Sequence, residues 1–118
     1  MKRGEIWTVA GGSDYASKPR PCVIIQNDAF NETASITVCS VTSDPTESPA
    51  FRMIIEPTED NGLERMSRLM ADKVTTVPKS KLGKKIGQLN ISELQKLNQS
   101  IIIFLGLADT NNDTLSGT

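Results

Sequence analysis

Pro21-Cys-Val-Ile-Ile-Gln26, followed by Ser35-Ile-Thr-Val-Cys-Ser-Val-Thr42, sets two different strand patterns next to each other in the chain. The first is a continuous apolar run rich in β-branched residues and ended by Asn27-Asp28, the pattern of a central strand buried on both faces. The second alternates with period two, so Ile36, Val38 and Ser40 share one face, Thr37, Cys39 and Val41 share the other, and Thr42 marks the exit. Working outward, Glu5-Ile-Trp-Thr-Val-Ala10 alternates well enough for a strand, and Gly11-Gly12-Ser13-Asp14 breaks it into a loop that runs to Pro19. Downstream, Ser43 to Pro49 is rich in turn residues, Phe51 to Ile55 reads as a strand, and Glu56 to Glu64 as an acidic loop. Ser67 to Ala71 and Val74 to Val77 read as two further strands, and Lys85 to Leu89 as a last short one.

A helix closes the pattern. Ser92-Glu-Leu-Gln95 has capping-box spacing, and apolar residues recur at Leu94, Leu97, Ile101, Phe104 and Leu105 before a stop at Gly106. The run Ile101-Ile-Ile-Phe-Leu105 is apolar nearly all round, wider than one barrel face covers, which predicts a contact with a second copy. Residues 109–118 offer nothing to bury and read as a disordered tail, leaving one domain over 1–108. The expected architecture is mainly β with a C-terminal helix, a closed or half-closed small barrel.

Composition narrows the chemistry. The chain has 118 residues, 37% hydrophobic and 23% charged, with a formal net charge of −1. No stretch approaches the roughly 18 apolar residues of a membrane span, so a soluble cytoplasmic protein is expected, with no membrane partner. There is no histidine, which excludes Ser-His-Asp and Cys-His nucleophile systems and the common zinc sites. Cys22 and Cys39 lack C-x-x-C spacing and read as buried free thiols, so neither a metal nor a cofactor is called for. Any reaction must use Arg, Lys, Asp, Glu, Thr or Ser.

The near-zero charge hides a segregation. From Asp28 to Glu64 there are eight acidic residues and one basic residue, Arg52, whereas Arg65, Arg68, Lys73, Lys79, Lys81, Lys84 and Lys85 stand against Asp72 alone. That asymmetry permits a positive groove on a weakly acidic protein. Within Ser13-Asp14-Tyr15-Ala16-Ser17-Lys18-Pro19-Arg20-Pro21, each proline fixes its own φ and extends the residue before it, so Lys18 and Arg20 are presented outward at a strand start. A fixed guanidinium forks onto two phosphate oxygens and stabilises charge developing on phosphorus. Thr42 can donate a hydrogen bond to phosphate, and Asp72 can take a proton from a ribose hydroxyl. Each has a plainer reading. Arg20 covers the barrel mouth, Thr42 bonds the following turn, and Asp72 pairs with Lys73 or Arg68.

Taken in order, Arg3-Gly-Glu-Ile-Trp7, Lys18-Pro-Arg-Pro-Cys-Val-Ile-Ile-Gln-Asn-Asp28, Ser40-Val-Thr-Ser43 and Leu69-Met-Ala-Asp-Lys73 resemble the MazF/PemK family of toxin endoribonucleases, over about Lys2 to Leu107. The resemblance implies an SH3-like barrel that forms a homodimer and cuts single-stranded RNA without a metal or other cofactor, neutralised by the C-terminal segment of a cognate antitoxin. It implies attack by the ribose 2′-hydroxyl, giving a 2′,3′-cyclic phosphate and a 5′-hydroxyl end. Arg20 and Thr42 match the family's catalytic pair, and Asp72 matches its aspartate. Ser13, Asp14, Lys18, Ser43, Arg68 and Lys73 are the implied substrate-binding residues, with Asp14 standing where the family's loop usually carries Glu. An arginine of PemK-type members falls on Met70, so Arg20 doubles as acid and phosphate clamp, or Arg68 substitutes. Two readings compete with a ribonuclease. One is a CcdB-like toxin of the same architecture that binds DNA gyrase. The other is an RNA-binding barrel, which would display several stacking aromatics. Trp7, Tyr15, Phe30, Phe51 and Phe104 are few, and Tyr15 alone is expected near RNA.

Overall fold

The computed structural model describes residues 1–10, 18–45 and 51–107. Six strands, β1 (Glu5–Val9), β2 (Arg20–Ile24), β3 (Ser35–Thr42), β4 (Arg52–Ile55), β5 (Ser67–Pro78) and β6 (Leu82–Gln88), precede one helix, α1 (Ile91–Leu105). They form one antiparallel sheet in the order β4-β5-β3-β2-β1-β6. The apolar run around Val23 and the alternating run from Ser35 to Thr42 are its two central strands, β2 and β3. Cys22, Val23 and Ile24 are all buried, as a strand covered on both faces requires.

Period-two alternation divides the core. Ile36 and Val38 pack with Cys22 and Ile24 on one face, with Trp7, Val9, Val77 and Leu82 around them. Cys39 and Val41 pack with Ile6, Val23 and Leu69 on the other, where Leu94, Leu97 and Ile101 of α1 join them. The β3 assignment made from periodicity is therefore the observed one. Both thiols are free and buried, and burial pushes each up to about 12, so neither supplies a thiolate near neutrality.

Three expectations change. The two strands read at Ser67–Ala71 and Val74–Val77 are one twelve-residue strand, β5. Its ladder with β3 jumps from Cys39 opposite Val74 to Val41 opposite Leu69, an irregularity that lets the strand turn a corner without ending. The last strand begins at Leu82 rather than Lys85. The helix is capped by Asn90, not Ser92. The Asn90 side chain accepts from Glu93 N at 2.7 Å, and Glu93 Oε1 accepts from Asn90 N at 2.9 Å. Leu89 decides between the two overlapping box patterns. It is buried, and its amide donates to Gly4 O at 2.9 Å, which ends the strand path there and starts the helix at once. Gly106 stops α1 with φ +75°, as expected. The sheet is the half-closed form of the small barrel, with β4 and β6 at its edges. The expected tail at 109–118 lies outside the described residues.

Candidate active site

Strand β2 has two differently built ends. At its C-terminal end, Arg3 Nε donates to Ile25 O at 2.9 Å, Arg3 Nη2 donates to Asn98 Oδ1 on α1 at 2.5 Å, and Arg3 N donates to Asp28 Oδ1 at 2.8 Å. Gly4 sits at φ +92°, where an L side chain is strained, and an added Cβ would lie 3.2 Å from Leu94 Cδ2. Glu5 accepts from the Trp7 indole at 3.0 Å and from Lys2 N at 2.9 Å, and pairs with Lys85 at 3.1 Å. Burial works against the Glu5 charge, but these hydrogen bonds and Lys85 outweigh it and hold the carboxyl at about 2. Gln26 accepts from Thr37 N and donates to Phe30 O, and Asn27 caps the 3-10 turn that follows. The motif residues Arg3, Gly4, Glu5, Gln26, Asn27 and Asp28 are therefore engaged by the fold itself, the last two at its surface.

The N-terminal end of β2 is open. Arg20 is exposed; its backbone pairs with Val9 in the ladder, and among the described residues its side chain makes no hydrogen bond or ion pair. Strand β2 pairs with β3 by setting Cys22 opposite Ser40, Val23 opposite Cys39 and Ile24 opposite Val38. The same register continued two residues sets Arg20 opposite Thr42. Thr42 in turn pairs with Arg68 on β5, which pairs with Ile54 on β4. Alternation places Arg20, Thr42 and Arg68 in one row on the sheet face away from α1. Thr42 Oγ1 accepts from Asp44 N at 3.1 Å, the turn contact of the plainer reading. That bond uses an oxygen lone pair and leaves the hydroxyl proton to be donated, so the turn fixes the hydroxyl rather than consuming it.

Asp72 has a partner the sequence reading did not choose. Arg52 Nε donates to Asp72 Oδ1 at 2.8 Å and Arg52 Nη2 to Oδ2 at 2.7 Å, in place of the expected pairing with Lys73 or Arg68. The Arg52 guanidinium beside Asp72 holds its carboxyl below the usual carboxylate range. Met70, where the resemblance calls for an arginine, is buried, and its partner across the ladder is Arg52. Arg52 carried one signal in the sequence, as the lone base in the acidic stretch, but only strand pairing brings it to Asp72.

The remaining candidates scatter. Lys18, Ser43 and Lys73 are exposed. Lys18 lines a shallow groove with Thr8, Pro19, Gly83 and Lys84, at the strand ends next to Arg20. Two cations of the basic stretch serve the fold instead: Lys79 Nζ donates to Asn31 O, and Lys85 pairs with Glu5. Ser13 and Asp14, with Tyr15, lie outside the described residues.

Residues 2–105 match the family model described as PemK-like, MazF-like toxin of type II toxin-antitoxin system. The chain is 45% identical over 108 residues to a probable endoribonuclease MazF of Mycolicibacterium smegmatis, covering 92% of this chain and 99% of that protein. It is 32% identical over 117 residues to the endoribonuclease MazF9 of Mycobacterium tuberculosis, covering 91% and 98%. Its fold superposes with a TM-score of 0.74 on a mycobacterial endoribonuclease solved in complex with its cognate antitoxin, at 24% identity, covering 91% of this chain and 96% of that one. A MazE-MazF structure from Deinococcus radiodurans gives 0.74 at 17% identity, covering 90% and 96%. The motifs in the sequence, the barrel-like sheet with its C-terminal helix and the match over residues 2–105 agree: the chain belongs to the PemK-like, MazF-like toxins of type II toxin-antitoxin systems.

Proposed function

We propose that this toxin is an endoribonuclease that cuts single-stranded RNA at the open end of β2, by attack of a ribose 2′-hydroxyl on the adjacent phosphate. The observation that carries the reading is the row Arg20, Thr42 and Arg68 on one sheet face. A bond forms between O2′ and phosphorus while the bond from phosphorus to O5′ breaks, leaving a 2′,3′-cyclic phosphate and a 5′-hydroxyl. The 2′-hydroxyl loses its proton and the leaving O5′ gains one. Arg20 grips the non-bridging oxygens and stabilises the charge that builds on them, and the Thr42 hydroxyl donates to the same group. Arg68 supplies a second positive charge beside Thr42, and Asp72 is the carboxylate of the site. Lys18, Lys73 and Ser43 hold the flanking backbone, with Ser13 and Asp14, which precede Arg20 in the sequence, as further substrate contacts. No step needs histidine, metal or other cofactor.

Such a toxin works in the cytoplasm, where mRNA is its substrate and its loss stops translation. No helix among the described residues is long and apolar enough to cross a membrane. The protein acts as a homodimer, a reading supported by Ile103, Phe104, Leu105 and Leu107, all exposed at the far end of α1. Two copies place two basic stretches together, and the channel between them takes either RNA or the C-terminal segment of the cognate antitoxin. The gyrase-binding alternative has no support in a family match to MazF and PemK rather than CcdB.

The test is to incubate purified protein with a long RNA in excess EDTA and map the fragment ends. The expected fragments carry 5′-hydroxyl ends. Cleavage lost in EDTA and restored by magnesium, or fragments with 5′-phosphates, would overturn the reading.

A further inference from the structure

Arg52 is the one cation of the acidic stretch between Asp28 and Glu64, and strand pairing sets it beside β5. It lies on β4 opposite Met70, which is two residues before Asp72, and two pairs along the ladder from Ile54 and Arg68. Its guanidinium meets Asp72 through two parallel hydrogen bonds of 2.8 and 2.7 Å, with the Arg52 side chain 14% and the Asp72 side chain 18% accessible. The geometry is the fork-to-fork arrangement that fixes both planes.

The place where this happens matters. Between Cys39 and Val41 the ladder takes two steps along β3, from 39 to 41, against five along β5, from 74 back to 69. Asp72 falls inside that slip, where regular pairing with β3 does not hold the β5 backbone. The tie to Arg52 on the other side is what orients the carboxylate. A single positive point charge would hold one oxygen and let the group swing.

We infer that Arg52 is a positioning residue of the RNA-cleaving site, acting through Asp72, which it fixes as an oriented anion that accepts a hydrogen bond from the RNA. This rests on the ribonuclease reading above. It assigns Asp72 a different job from the proton acceptor first expected. A carboxylate held below its usual range is a weak base, and general-base efficiency falls as basicity falls. It remains a good acceptor. A ribose hydroxyl or the exocyclic amine of a base presents the matching donor.

Five proteins test the inference: the parent, Arg52→Gln, Arg52→Lys, Asp72→Asn and the double variant Arg52→Gln/Asp72→Asn. Each is checked for a native unfolding transition, assayed for kcat and KM on one short RNA from pH 4 to 8, and the Asp72 carboxyl of parent and Arg52→Gln is followed by NMR. The inference predicts that Arg52→Gln lowers kcat/KM about tenfold or more and moves the acid inflection of the profile upward, as the Asp72 carboxyl titrates at higher pH. Arg52→Lys restores the inflection but only part of the rate. Adding Arg52→Gln to Asp72→Asn costs nothing further. Losses that multiply in the double variant, an unchanged pH profile, or a rate that falls only in step with the folded fraction would overturn it and leave an ion pair that merely staples an edge strand. A parent that cuts no RNA, while NMR still shows the Asp72 shift in Arg52→Gln, would overturn the ribonuclease reading and the positioning role with it, and leave the ion pair as structure.

Discussion

The two ends of strand β2 are built from the same short run of sequence and do opposite things with their polar groups. At the end near Ile25, Arg3 spends its guanidinium on a backbone carbonyl and on Asn98 of the helix, and Glu5, Gln26, Asn27 and Asp28 are all engaged by the fold itself. At the other end Arg20 is exposed, and the β2–β3 register, continued two residues, leads to Thr42, which pairs with Arg68. Both arginines belong to the motifs that carry the family resemblance. The difference teaches that a motif residue is chemical or structural according to whether the fold consumes its hydrogen-bonding capacity, and a substitution should break rate at one end and stability at the other.

The largest effect belongs to the open end. Arg20→Ala should slow RNA cleavage by roughly two to three orders of magnitude, the usual cost of about 3 to 4 kcal/mol for removing a transition-state donor, with Thr42→Ala in the same direction. The melting temperature should stay within a few degrees of the parent, because Arg20 makes no described contact that the fold would miss. Unfolding of Arg20→Ala would erase the contrast.

Arg3→Ala should do the reverse. It removes the side-chain bonds to Ile25 O and Asn98 Oδ1 and so costs about 2 to 3 kcal/mol of stability, or roughly 10 °C or more in a domain of this size, read by thermal denaturation. Cleavage per folded molecule should be unchanged. Gly4→Ala is a smaller version of the same break, about 1 to 2 kcal/mol, from the left-handed φ and the close Leu94 methyl.

The effect confined to the narrowest conditions is a pH dependence. Glu5 has a folded value of about 2 against an ordinary 4.5, so the folded state holds fewer protons than the unfolded chain between those values. Its stabilisation is fully present above the ordinary value and is lost as pH falls from about 4.5 toward 2. Melting curves across that window should fall more steeply for the parent than for Glu5→Gln, and parallel curves would show that the closed end does not depend on that charge.

How much of this was legible in the sequence follows from the range of each interaction. Local periodicity placed β3 residue for residue, because Ile36, Val38, Cys39 and Val41 need only the pleat to sort them. It split β5 in two, because Asp72-Lys73 looks like a turn unless the ladder slip against β3 is known. The helix cap was misplaced by two residues because Asn90 and Ser92 both head a plausible box, and the choice is made by Leu89 and Gly4, far apart in the chain. Arg20 stands out by its two flanking prolines and Thr42 by its place at a strand exit, and the resemblance joins them. The role of Arg52 was not legible, since its connection to Asp72 spans twenty residues and exists only through strand pairing.

The most direct measurement of the central claim sets three proteins side by side on one RNA in EDTA, scored as cleavage rate per folded molecule. The parent and Arg3→Ala should cut at comparable rates and leave 5′-hydroxyl ends, while Arg20→Ala should be slower by roughly two orders of magnitude or more. Equal cleavage by Arg20→Ala and the parent, with the loss falling instead on folded Arg3→Ala, would contradict the claim and move the active site to the other end of β2.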